Sequence, residues 1–311
     1  MDLITGLLTT AVLAGGVLAL AALGEVICQR VGVVNLGVEG LMALGAVTAI
    51  AVTISVPNPS IGFAAALLVG LCFGMVFAVA TVLFRANQVL CGLALTLMGT
   101  GLAATVGRAF SGMPAKATFQ PVIVPYLSEI PILGPAFFSQ NVLVYLIFII
   151  LPVAIHCLMF KTRHGLNMRA VGENPAAADA AGIPVLAMRF WYVSLGAALA
   201  AGAGAYLTLA FVPSWSDGIV AGRGWIAVAL VIFARYRPLN VVMAALLFGL
   251  ITALGYVGQA RNWPVAPALL GMLPYLGTLG FIIVPVIVLH RMRQLSAAPA
   301  ALGLPYFRDV R

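Results

Sequence analysis

Charged residues punctuate this chain so sparsely that its hydrophobic positions fall into long uninterrupted runs, and a bilayer core needs roughly 20 apolar residues per helix. Leu3 to Leu23 supplies a first span. The apolar stretch from Gly40 to Phe84 is too long for one helix, and Pro57-Asn58-Pro59 divides it into a second span starting near Val33 and a third from Ser60 to Phe84. Ala86 to Gly107 reads as the fourth. A loop with Arg108, Lys116, Glu129 and several prolines leads to a fifth, Asn141 to Phe160, and Phe190 to Phe211 is the sixth. Gly218 to Ala234 is a short seventh interrupted by Arg223; Pro238 to Tyr256 and Ala268 to Leu289 complete the set. The pattern predicts an all-α, polytopic transmembrane helix bundle of about nine spans.

Composition agrees with the pattern. At 63% hydrophobic, 8% charged and a mean hydropathy of +1.14, the chain cannot fold as a soluble domain without exposing large apolar patches. Lys and Arg are retained on the cytoplasmic side of membranes. With the amino terminus outside, 12 of the 16 cations fall inside: Arg30, Arg85, Lys161, Arg163, Arg169, Arg189, Arg235, Arg237, Arg291, Arg293, Arg308 and Arg311. Arg108, Lys116, Arg223 and Arg261 remain outside. This asymmetry and anionic membrane lipid account for the net charge of +8, so no nucleic-acid partner is expected. The first apolar run lacks a cationic start and is expected to persist as a helix. The tail, 291–311, is expected in the cytosol, with Leu304-Pro305-Tyr306-Phe307 near the membrane surface.

A shift of 159 residues aligns Arg30, Val34, Leu36, Gly37 and Gly45 with Arg189, Val193, Leu195, Gly196 and Gly204. This predicts a parallel internal repeat after the first span, one unit over about 30–160 and another over about 189–290. The whole chain, 1–311, then forms one membrane domain, with the first span at 3–23 standing apart from the repeats.

Within the second expected span, Asn35, Gly37, Glu39 and Gly40 place an amide, a carboxylate and glycines at membrane depth. A broken helix lining a water-filled cavity satisfies such groups, as does bonding to neighbouring spans or to Arg30. Glycines elsewhere, such as Gly92, Gly99, Gly196 and Gly204, let helices approach closely.

The longest polar passage is 161–189. Arg169 and other cations precede Gly172-Glu173-Asn174-Pro175, in which Asn174 and Pro175 suit the cap and first turn of a short helix. That helix is Ala-rich, carries Ala178 and Asp179, and stops at Gly182 before Pro184. A small-faced helix between spans fits a groove on a cytosolic partner; it also fits a solvated connector.

Other chemistry is not indicated. Cys28, Cys72, Cys91 and Cys157 are scattered without metal or disulfide spacing, and His156, His164 and His290 fall near span ends. No nucleophilic triad suggests itself, so no catalytic or metal residues and no cofactor are expected. There is no GxxxxGK[ST] sequence, so any ATP hydrolysis belongs to another subunit.

The runs RAVGENPAAADAAGI, from Arg169, and GEVICQRVGVVNLGVEGLMALGA, from Gly24 to Ala46, closely resemble permease subunits of ABC importers serving simple sugars, branched-chain amino acids and nucleosides. The likeness covers most of the chain, and the second run looks most like nucleoside-type permeases. The resemblance implies a bacterial inner-membrane protein with 161–189 as its cytoplasmic coupling loop. It also implies a cytosolic ABC ATPase, a second permease subunit, identical or not, and an extracytoplasmic solute-binding protein. Arg169, Gly172, Glu173, Asn174, Pro175, Ala178, Asp179 and Gly182 are then the ATPase-docking residues, and Asn35, Gly37, Glu39 and Gly40 line the pathway. A nucleoside suits a pore with few charges; simple sugars or a flavin-type heterocycle fit the same family. A stand-alone carrier or channel is the alternative class, and Glu25 and Glu39 are its only buried coupling groups.

Overall fold

The computed structural model describes residues 2–288 and 298–308. Among them the chain is a helical bundle: α1 (Asp2–Arg30), α2 (Val38–Ser55), α3 (Pro59–Ala78), α4 (Gln88–Gly107), α5 (Leu133–Phe137), α6 (Val142–Tyr145) and α7 (Leu151–Lys161). Then follow α8 (Arg163–Glu173), α9 (Pro175–Ala180), α10 (Val185–Tyr206), α11 (Arg223–Phe233), α12 (Pro238–Ala260), α13 (Pro267–Gly271) and α14 (Leu273–Val288). π-helical turns extend α3 through Leu83, join α6 to α7, and extend α10 through Phe211.

Among the described residues, seven helical stretches are long and apolar enough to cross a bilayer, against the nine expected. One expected span falls short, α11 with 11 residues; for the ninth, α13 and the 16 residues of α14 are described through Val288, and Leu289 lies outside the described residues. The glycine-rich turn Gly218–Gly222 and Arg223 delay the helix until the chain is already inside the bundle.

Burial orders the helices into shells. The α1 span is 94% buried, the α10 span 83% and α2 72%, whereas the α4 span is 28% buried. A helix that is apolar all round belongs in the centre, and α1 sits there against α10, α11 and α12. Small residues make the approach close. A Cβ on Gly45 would run into the Ala201 carbonyl, one on Gly204 into the Met42 carbonyl, and Gly24 and Gly196 face each other's carbonyls.

The expected repeat does not align like with like. Positions 30–37 form the end of α1 and an irregular linker, whereas their counterparts 189–196 are all helical within α10. Two further boundaries move. The second span starts at Val38 rather than near Val33, and 161–189 contains the unanticipated α8 and the first turn of α10, which starts at Val185 rather than Phe190.

Candidate functional site

The polar segment 163–180 forms a hairpin of two short helices. Thr162 caps α8 by accepting a hydrogen bond from Gly165 N–H at 3.0 Å, and Asn174 caps α9 by accepting from Ala177 N–H at 3.0 Å, with Pro175 in the first turn. Gly182, at φ +81°, ends α9 in the left-handed conformation, and Ile183 N–H returns to the Ala178 carbonyl at 3.0 Å. Glu173, Asn174, Ala176, Ala177, Ala181 and Gly182 are exposed. Ala178 is buried, facing its own chain, and Gly172 packs so tightly against α1 that a Cβ would strike the Arg30 carbonyl.

The hairpin is tied to the bundle at several points. Arg169 stacks over Phe160, 5.2 Å from the ring centroid, and Arg30 lies 6.0 Å from the same ring. Arg30 Nε also donates to the Tyr236 carbonyl at 2.9 Å. It thereby holds the turn between α11 and α12, where Arg235 and Tyr236 both have positive φ, 55° and 57°. On the other side the carboxy-terminal segment acts as a strap. Ala301 N–H donates to the Gly172 carbonyl at 2.9 Å, Ala300 N–H to Glu173 Oε2 at 3.2 Å, and Gly303 N–H to the Gly32 carbonyl at 3.1 Å. Arg189, buried at the foot of α10, donates to the Leu304 carbonyl at 3.0 Å, and Arg308 pairs with Asp179 at 3.3 Å. Tyr306 is buried and Phe307 lies beside the Arg85 guanidinium, while Leu304 and one side of Phe307 stay exposed.

Asn35 and Gly37 occupy the linker between α1 and α2. Gly32, at φ +86°, ends α1, and the chain turns back into the bundle in an irregular conformation. Buried non-helical backbone requires dedicated partners, and over 34–37 four of them are side chains. Val34 N–H donates to Gln88 Oε1 at 2.9 Å, Asn35 N–H to Glu25 Oε1 at 3.0 Å, and Gly37 N–H to Asn35 Oδ1 at 2.9 Å, while Thr96 Oγ1 donates to the Leu36 carbonyl at 2.9 Å. Gly37 and Gly40 press on Leu95 and Thr96 of α4.

Glu39, in the first turn of α2, has a distinct role. Its Oε1 accepts from Gly222 N–H and its Oε2 from Gly224 N–H, both at 2.7 Å, so it caps the start of α11. Anionic oxygens at a helix N-terminus satisfy orphan N–H groups and the positive end of the dipole together. With 11 residues α11 rises roughly 16 Å, about half of a ~30 Å hydrocarbon core. Its other end lies beside Arg30 at the hairpin side, so Glu39 stands one length of α11 deeper into the bundle. There it borders a cavity of about 70 Å³ with Trp215 and Asp217. The linker residues Asn35 and Gly37 are enclosed by protein, and the docking and pathway sets are joined through Arg30, Tyr236 and α11 and through the strap that bonds Gly172 and Gly32. The carboxy-terminal strap and the Gly222 cap had no distinct signal in the sequence; Gly218 and Gly222 around Arg223 were the available hint.

Comparison with known proteins places this architecture. The branched-chain amino acid transport system permease component family matches residues 7–281. A putative glucose ABC transporter permease protein of Haloferax volcanii is 38% identical over 100% of both chains. A nucleoside ABC transporter permease protein of Lactococcus lactis is 35% identical over 94% of this chain and 93% of its own. A guanosine ABC transporter permease protein of Bacillus subtilis is 30% identical over 94% of each. No solved structure matches the chain. The chain belongs to this permease family: it is a multi-pass membrane transport subunit of the ABC importer type.

Proposed function

We propose that this permease forms half of a translocation pathway for a nucleoside. In this reading it pairs with a second permease subunit, identical or not, takes solute from an extracytoplasmic binding protein, and is driven by a separate cytosolic ABC ATPase. The amino terminus is outside. The observation that carries the reading is the α8–α9 hairpin: a doubly capped element whose exposed face of Ala177, Ala181 and Gly182 has no bulk to block a groove. Glu173, Asn174, Pro175 and Asp179 shape that face; Arg169, Gly172 and Ala178 anchor it from behind.

A push on α9 is passed through Gly172 to Arg30, and from Arg30 to the strained Arg235-Tyr236 turn at the foot of α11. At its other end α11 is held by Glu39. The half-helix is therefore gripped at both ends, and its tilt is the proposed opening movement. Asn35, Gly37 and Gly40 serve the pathway by fixing the linker that positions Glu39.

Nucleoside as solute is supported by the two nucleoside-type relatives. A hexose is the second reading, supported by the Haloferax volcanii relative. Uptake of radiolabelled uridine and glucose by proteoliposomes holding the complete complex separates them: ATP-dependent uridine accumulation supports the first, and glucose accumulation alone the second.

A further inference from the structure

A polar stripe runs along one face of α12. Thr252, Tyr256 and Gln259 stand at i, i+4 and i+7 in a span whose mean hydropathy is 2.2. They face a cavity of about 210 Å³ between α1, α11, α12, α13 and α14, whose opposite wall carries Arg223 and Tyr275 and whose floor is Ala14 and Leu18. The cavity is smaller than the roughly 300–1,000 Å³ of drug-sized sites, a size for a compact solute.

The groups are arranged rather than scattered. Arg223 Nη1 donates to the Ile219 and Val220 carbonyls at 2.8 and 3.0 Å, and its Nη2 donates to the Tyr256 hydroxyl at 3.0 Å. Tyr275 donates its hydroxyl hydrogen to the Ala221 carbonyl, where Ala221 and Gly222 have positive φ, 49° and 75°. Thr252 Oγ1 donates to the Phe248 carbonyl at 2.9 Å, leaving its lone pairs to the cavity. Tyr256 and Gln259 are exposed on the single chain, and Arg223 is partly so. The Arg223 guanidinium, partly open at the start of α11, is costly against hydrocarbon, so this face meets water, solute or protein instead of lipid.

The chemistry of the wall narrows the occupant. Two phenol rings and a guanidinium plane suit stacking against a flat heterocycle. Gln259 offers a donor and an acceptor to its edge, and Thr252 an acceptor to a hydroxyl. Glu39, which interacts with Arg223, is already occupied with Gly222 and Gly224, and no carboxylate lines the cavity among the described residues, which disfavours a cationic solute. Position agrees: α12 runs from Pro238 beside the cytoplasmic cations Arg235 and Arg237, so residues 252–259 lie in its outer half. We infer that the cavity walled by Arg223, Thr252, Tyr256, Gln259 and Tyr275 holds a neutral nucleoside entering from the extracytoplasmic side. The inference rests on the nucleoside reading above and adds to it the place where this chain touches the solute.

The test is direct binding. In the assembled complex, with the four native cysteines replaced, Gly271→Cys, on the cavity wall where a Cβ meets nothing within 4 Å, is exposed to a membrane-impermeant thiol reagent from outside. Rapid reaction, slowed at least fivefold by millimolar uridine and unaffected by equal glucose, is the expected result. Adding Tyr256→Leu removes the protection and Tyr256→Phe keeps it. No reaction at position 271 overturns the inference, because the face is then covered by a partner subunit or lipid. Reaction that uridine leaves unchanged, or that glucose slows instead, also overturns it. Proteoliposome uptake is a separate readout: failure of unaltered complex to accumulate uridine sinks the nucleoside reading, whereas uptake without protection sinks only this site.

Discussion

Glu39 Oε2 lies 2.7 Å from the backbone nitrogen of Gly224, 185 residues later in the chain. With the matching bond to Gly222, one carboxylate of α2 fixes the origin of α11 in the interior of the bundle. Removing it leaves two N–H groups without their acceptor, and hydrogen bonds to charged groups contribute about 1.5–3 kcal/mol each. Glu39→Ala is expected to lower stability by roughly 3 kcal/mol on that basis. The thermal midpoint of the detergent-solubilised chain checks this; an unchanged midpoint contradicts the capping role.

Two glycines on helix faces give a contrast within one experiment. A Cβ on Gly204 meets the Met42 carbonyl, whereas a Cβ on Gly101 meets nothing within 4 Å. Gly204→Ala forces α2 and α10 apart at a cost of about 1–3 kcal/mol, typical of overpacking. Gly101→Ala is neutral or mildly stabilising, as an Ala for Gly in a helix should be. Folded yield by size-exclusion fluorescence distinguishes them, and equal yields contradict the packing described.

The carboxy-terminal strap predicts an asymmetry between its ion pair and its backbone. Arg308 is 72% exposed, and exposed pairs contribute less than about 1 kcal/mol, so Arg308→Glu changes little. Ending the chain at residue 297 removes the partners of Gly32, Gly172 and Arg189 together. Truncation is expected to depress uptake and stability far more than the single substitution, and equal effects count against the strap.

Orientation is checked by labelling. Single cysteines at Lys116 and Glu129 are expected to react with an impermeant reagent from outside, and one at Arg163, exposed on α8, only after permeabilisation. External reaction at 163 reverses the topology and removes α8–α9 from the cytosol.

Much of this was legible in the sequence because its determinants are local. Asn174, Pro175 and Gly182 specify α9 through neighbours two or three residues away, and Pro57-Asn58-Pro59 divides α2 from α3 with Asn58 capping the latter. What stayed hidden is set by distant partners. Val34, Asn35 and Leu36 read as part of a second span starting near Val33, broken or bonded to its neighbours, but Gln88, Glu25 and Thr96 satisfy their backbone in an irregular linker that precedes α2. The short length of α11 likewise depends on Glu39, far away in sequence. Hydropathy counts apolar residues and cannot register that a carboxylate elsewhere makes a half-helix stable.

The central claim is that α8–α9 receives force from a cytosolic ATPase. Ala177 is exposed on α9 and contributes nothing to the packing behind it, so Ala177→Arg adds bulk only to the proposed docking face. ATP-dependent uridine uptake should be measured in proteoliposomes holding the permease pair, its ATPase and its binding protein. The account predicts that Ala177→Arg lowers uptake at least tenfold, with the chain still folded in the membrane and ATPase co-purification lost. Full uptake and undiminished ATPase association in that variant would contradict it.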